Sequence, residues 1–134
     1  MSDPIYPYKH WENQMDLWYL AHPMQGDGFF TFEENKQHAL DMQEMLWKVG
    51  IKAVNTWYSF SIIFGVGEGP DMERYLALDM DVINAFGGII LTGHNLSSGM
   101  IREFSYALEK ELRIMNLIGV PDRYIGQLVK EYVM

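Results

Sequence analysis

The feature that most constrains the fold is an alternation of short apolar runs with longer segments of helical period, met four times along the chain. Met15 to Ala21 is a β-like run that ends at His22-Pro23 and a glycine-containing loop, Met24 to Gly28, and it predicts a buried first strand. Thr31 with Glu34 three residues on forms a capping box. Phe32, Ala39, Met42, Leu46 and Val49, with Asn35 on the same row, then repeat at helical spacing up to Gly50, a natural helix stop. Ile51 to Trp57 predicts a second strand, and Ser59 to Pro70 a glycine-interrupted connection. Asp71 to Phe86 predicts a second helix with the apolar row Met72, Tyr75, Leu76, Val82, Ile83 and Phe86, ended by Gly87-Gly88. Ile89 to Leu91 is a third strand, followed by the loop Thr92 to Leu96 and a helix opened by Ser97-Ser98-Gly99 that runs to about Leu112. Ile114 to Ile118 is a fourth strand, and Pro121 leads into a last helix reaching about Tyr132.

Repeated strand–helix order predicts a parallel sheet with helices on both faces. The expected fold is therefore α/β: a single-domain, flavodoxin- or Rossmann-like sheet of four to five strands, spanning residues 15–134. In such folds ligands bind at the carboxyl ends of the strands, so the loops after Ala21, Trp57, Leu91 and Ile118 are expected to line a site. Residues 1–14, with Pro4, Pro7, Tyr6, Tyr8 and Trp11, read as an arm outside this domain or as a tail.

Composition limits the chemistry. Without cysteine there is no disulfide, no zinc–thiolate site, no iron–sulfur cluster and no thiol nucleophile. Ten Lys and Arg against 18 Asp and Glu leave a formal charge of −8, too few cations for a nucleic-acid surface or an anionic membrane. Met1-Ser2-Asp3-Pro4 lacks the cationic and apolar regions of a signal peptide. No apolar run approaches the ~18 residues of a membrane span. A cytoplasmic protein is expected. Ten methionines, four tryptophans, eight tyrosines and seven phenylalanines point to a dense core, with an aromatic pocket or a subunit interface.

Asp79 is the most informative single residue, because it shares a helical row with Met72, Tyr75, Leu76, Val82, Ile83 and Phe86. A carboxylate on an apolar face must be paired, protonated or turned to a cavity. Asp81 falls off that row. Glu103 lies in the first turns of the next helix, flanked on its face by Met100, Phe104 and Ala107; there it is either a functional carboxylate or one that complements the helix dipole. Ser97, Ser98 and Gly99 stand between strand and helix, as an ordinary cap or as donors to an anion. Gly65-Val66-Gly67-Glu68-Gly69-Pro70 fits neither a dinucleotide loop nor a P-loop. His10, His22, His38 and His94 show no metal-ligand spacing. His22 and His94 fall in loops on the expected active side.

Three segments carry a family resemblance. They are Trp18-Tyr19-Leu20-Ala21-His22-Pro23-Met24, Leu78-Asp79-Met80-Asp81-Val82-Ile83, and Ser97-Ser98-Gly99-Met100-Ile101-Arg102-Glu103-Phe104-Ser105-Tyr106-Ala107. In this order the chain resembles the nucleoside 2-deoxyribosyltransferase superfamily over residues 16–120. That group includes nucleoside 5′-monophosphate N-glycosidases. The resemblance implies that Glu103 is the nucleophile at the sugar's anomeric carbon, that Tyr19 orients it, and that Asp79 serves the sugar hydroxyls or the base. Serine at 97, where transferases of free nucleosides carry aspartate, implies a 5′-phosphate held by Ser97, Ser98 and Gly99. Gly87 stands where many members have aspartate, and Gln25 lies where a basic residue is often found.

The expected activity is hydrolysis of the base–sugar bond of a nucleoside 5′-monophosphate through a glutamate nucleophile, with no cofactor and no metal. His22 and Trp57 are expected at the substrate, and Tyr58 beside Trp57 offers a second ring to stack on the base. The alternatives are a nucleoside 2-deoxyribosyltransferase that exchanges bases, and a non-catalytic nucleotide-binding sensor. The partner is a small nucleotide or nucleoside. By family habit the chain forms a homodimer or higher homo-oligomer whose neighbour completes the site.

Overall fold

The computed structural model describes residues 17–24, 30–56 and 70–133. The expected arm at 1–14, and Trp57 and Tyr58, lie outside the described residues. In chain order the elements are β1 (Leu17–Ala21), α1 (Phe32–Lys48), β2 (Lys52–Val54), α2 (Pro70–Phe86), β3 (Gly88–Leu91), α3 (Ser98–Glu109), β4 (Arg113–Asn116) and α4 (Asp122–Val133).

All strand pairs are parallel, in the order β2-β1-β3-β4. The two central strands, β1 and β3, bury both faces, which is why they read as continuous apolar runs rather than alternating ones. Trp18 and Leu20 of β1 pack with Ile90 and Met115 against Ala39 and Leu46 of α1 and Ile125 and Val129 of α4. Tyr19 and Ala21 point the other way, with Ile89 and Leu91, onto Ile83 of α2 and Met100 and Ala107 of α3. This parity follows from the two-residue period of a strand. Each fully buried Leu or Ile contributes about 1.5–3 kcal/mol.

The caps are largely those expected. Glu34 N donates to Thr31 Oγ1 at 3.1 Å and Thr31 N to Glu34 Oε1 at 2.9 Å, so the capping box forms. Gly50 takes φ +92° and Ile51 N returns to Leu46 O at 2.8 Å, closing α1. Val49, placed on the apolar row by spacing, is 38% exposed because the helix ends there.

Five boundaries around β2, β3, α3 and β4 differ from expectation. β2 stops at Val54 instead of Trp57, because Asn55 leaves the ladder: its Nδ2 donates to Leu20 O at 2.8 Å and its backbone N to Gln43 Oε1 at 2.9 Å. α3 stops at Glu109 instead of about Leu112, because Glu111 adopts φ +57° and Leu112 N returns to Ala107 O at 2.9 Å. β4 therefore starts at Arg113, and it ends at Asn116 rather than Ile118; Gly88 opens β3 instead of ending α2.

The chain runs from β1 outward to β2, then crosses back to β3 on the other side of β1. The strand order reverses at β1/β3, the topological switch point where a crevice opens at the carboxyl ends. Past the strands the loops after β1, β3 and β4 stay joined: Thr92 N donates to Ala21 O at 2.9 Å and Gly119 N to Gly93 O at 3.0 Å. Gly93 has φ +98°, and a Cβ there would stand 2.6 Å from Pro23 Cδ. The proline ring cannot yield. Gly93→Ala is expected to cost roughly 2–4 kcal/mol from left-handed strain and overpacking together. A thermal melt reads this as a fall of about 5–15 °C; an unchanged melt contradicts the tight approach of the two loops.

Candidate active site

Helices α2 and α3 pack together on one face of the sheet with the same internal pattern. Leu76, Asp79 and Ile83 are the buried row of α2, and Met100, Glu103 and Ala107 that of α3. Each row sets one carboxylate between two apolar residues at the i, i+3, i+7 spacing of a single helix face. Asp79 is 0% exposed and Glu103 4% exposed. Tyr19, in the same layer, sits on β1 at the switch point.

Tyr19 Oη donates to Glu103 Oε2 at 3.0 Å. Thr56, two residues past β2, donates its hydroxyl to Asp79 Oδ1 at 2.9 Å. Asp79 Oδ2 is buried and meets no hydrogen-bond donor among the described residues. The two carboxyls nevertheless lie close enough to act on each other. Burial first, and then the charge of Asp79, hold Glu103 well above the usual carboxylate range. Burial also raises Asp79, against the donors around it. Burial, then the charges of Glu103 and Asp79, push the Tyr19 phenol up, so it stays a donor.

Neither carboxyl pairs with a lysine or arginine among the described residues. Two neighbouring buried acceptors with no cation are stable only with a proton between them. One proton retained between Glu103 and Asp79 supplies the donor that Asp79 Oδ2 otherwise lacks. The arrangement thus holds two buried carboxyls that share one proton. Among the described residues no group of three or more His, Asp or Glu could hold a metal ion.

Ser97 is the N-cap of α3: its Oγ accepts from Met100 N at 3.2 Å, and its O–H is not spent in that bond. Ser98 and Gly99 carry the first two N–H groups of the helix. Ser97, Glu103, Tyr19 and Asp79 therefore come from adjoining elements at one end of the sheet. Asp81 is exposed.

His22 goes elsewhere. Three residues past Tyr19, it turns to the opposite layer and lines a cavity of about 280 Å³ with Phe30, His38 and His94. Thr92 Oγ1 donates to Ala21 O at 2.8 Å, so its one hydrogen is used. It then accepts from His22 Nδ1–H at 2.9 Å. The structure does not bring His22 to the carboxyl pair. Trp57 lies outside the described residues. Thr56 is the site residue that sequence reasoning passed over. Its signal was its place at the end of the second strand, hidden by extending that strand to Trp57.

Comparison with known protein families, curated proteins and solved structures returns no match.

The raised acid has a stability consequence of definite sign. Glu103 binds its proton more tightly in the fold than in the unfolded chain. The stability this confers is complete below the ordinary carboxylate range and is lost as pH rises through the raised folded value. Glu103→Gln removes the charge and gives Asp79 Oδ2 a donor. It is expected to melt a few °C above the native chain at pH 8, roughly 1 kcal/mol, with the gap closing toward pH ~4. A gap that does not change with pH contradicts the raised acid.

Proposed function

We propose that the protein is an N-glycosidase that hydrolyses the base–sugar bond of a nucleoside 5′-monophosphate, in the manner of the nucleoside 2-deoxyribosyltransferase superfamily it resembles. The observation that carries the reading is the Tyr19–Glu103 hydrogen bond at 3.0 Å with Asp79 buried beside it. It joins the three co-linear motifs in one place.

Glu103 attacks C1′ as the C1′–N bond breaks, and the bonding pair leaves with the base. Asp79 gives its proton to the departing base. Tyr19 holds Glu103 in line. Water then attacks C1′ and releases Glu103 as carboxylate, and the proton lost from water returns to Asp79. The products are the free base and a sugar phosphate. This is the two-carboxylate logic of a retaining glycosidase.

The phosphate is assigned to the start of α3, where the helix dipole, two opening N–H groups and the Ser97 hydroxyl favour an anion. A Cβ at Gly99 would meet only Leu76 Cδ2 at an ordinary 3.6 Å, so packing does not demand glycine there. The open backbone there leaves room for a ligand to approach. We place the chain in the cytoplasm as a homo-oligomer. No helix among the described residues is long and apolar enough to cross a membrane. α3 also leaves Ile101 and Leu108 exposed, a surface suited to a second copy.

A panel of nucleotides and nucleosides, followed by chromatography for free base, tests the reading. Base release is expected from a monophosphate in preference to its nucleoside. Glu103→Ala is expected to lose at least ~10³-fold in kcat, and unchanged turnover in that variant sinks the assignment. Ser97→Ala is expected to raise KM for the monophosphate about tenfold, the worth of a hydrogen bond to a charged group, with little effect on the nucleoside. Exchange onto an added acceptor base without net hydrolysis would identify a transferase instead.

A further inference from the structure

The Asp79 carboxyl is held asymmetrically. Oδ1 receives the Thr56 hydroxyl at 2.9 Å, while Oδ2 is buried and meets no donor among the described residues. Thr56 is itself fixed. The preceding Asn55 is tied to β1 through Leu20 O at 2.8 Å and to α1 through Gln43 Oε1 at 2.9 Å. The Thr56 hydroxyl also lies beside the Tyr19 phenol.

We propose that Thr56 is a positioning residue of this site: its hydroxyl pins Oδ1, so that Oδ2 is the oxygen that carries the proton and delivers it. This rests on the reading of Asp79 as the acid in base–sugar cleavage. A hydroxyl that donates to one carboxyl oxygen makes it the acceptor, and the acid proton then resides on the other. Asp79 and Glu103 act on each other, so the retained proton is shared within the pair. On the forward step the proton moves from Asp79 Oδ2 to the leaving base. On hydrolysis it returns from water to the same oxygen.

The groups that face Asp79 among the described residues are Glu103 from α3, Tyr19 from β1 and Thr56 from the end of β2. Only Thr56 can be altered without touching a group placed in the reaction. Its donation favours ionised Asp79, so its loss makes the acid harder to ionise.

The test compares Thr56→Val, Thr56→Ala and Thr56→Ser with the native chain in two readouts. In turnover, Thr56→Val and Thr56→Ala are expected to lose ~10-fold or more in kcat, part of what a positioned acid supplies. KM should stay within ~2-fold. The alkaline limb of the kcat profile should move to higher pH, and Thr56→Ser should restore both. A kcat within ~2-fold and an unmoved limb in Thr56→Val and Thr56→Ala would overturn the proposal. So would a Thr56→Ser variant as impaired as the others.

The second readout is a carbon-13 titration of the side-chain carboxyls in the substrate-free protein. Ionisation of Asp79 should shift upward in Thr56→Val and Thr56→Ala and recover in Thr56→Ser. An unshifted Asp79 overturns the proposal. This readout needs no turnover. If the native chain releases no base from any nucleotide, the glycosidase reading fails while the role of Thr56 in placing the proton is still decided.

Discussion

Burying two carboxyl groups within reach of each other is expensive, and the architecture around Asp79 and Glu103 is what makes it possible. An isolated ionised carboxylate in a low-dielectric interior shifts its pKa rather than stay charged. No lysine or arginine among the described residues offsets either group. The compensation comes from two hydroxyls, Tyr19 on Glu103 and Thr56 on Asp79, and from one retained proton. A pair so built is poor for stability and good for chemistry. On the proposed reading it would hold a nucleophile and an acid side by side.

The parallel sheet supplies the rigidity this needs. Tyr19 is on β1, Thr56 follows β2, Asp79 is on the helix that leads into β3, and Glu103 is on the helix that leaves it. All four converge where the strand order reverses. α2 and α3 are aligned by packing: Leu76 lies against the start of α3, and Ile83, Met100 and Ala107 fill the layer beneath. The Glu73–Arg102 fork across them, at 2.7 and 2.9 Å, is exposed on both sides. An exposed pair of this kind is worth about 0–1 kcal/mol, so the carboxyls owe their register to the apolar rows.

Much of this was legible in the chain. The alternation of runs predicted the sheet, and the capping box and Gly50 predicted the ends of α1 with little error. Asp79 on an apolar row was recognisable as a buried acid, because a charge at that spacing has no bland explanation without a partner. Glu103 was less so: its buried neighbours match the α2 pattern, but a helix-start glutamate is common on surfaces. Thr56 was hidden because β propensity continues through Trp57, whereas the strand ends when the Asn55 side chain takes over the hydrogen bond to Leu20. The side chain of a single asparagine decides that boundary, and periodicity does not register it. The placement of His22 was available from parity alone. It is an odd number of residues from Tyr19 and so faces the other layer.

The acidity of the chain bears on the site through the same proton. A net charge of −8 repels a phosphate ester at long range. Two ionised carboxylates at the reacting carbon would add to that repulsion where it is least screened. With one proton retained, the pair would present a single negative charge to the proposed substrate. The start of α3, one helical turn and a half before Glu103, offers the opposite polarity to the other end of the substrate. On the proposed reading, nucleophile and anion site lie on one helix, and the spacing between them is set by the helix itself. An acidic protein can hold an anionic substrate on these terms because recognition rests on local dipoles and on a shared proton, not on the sum of its charges.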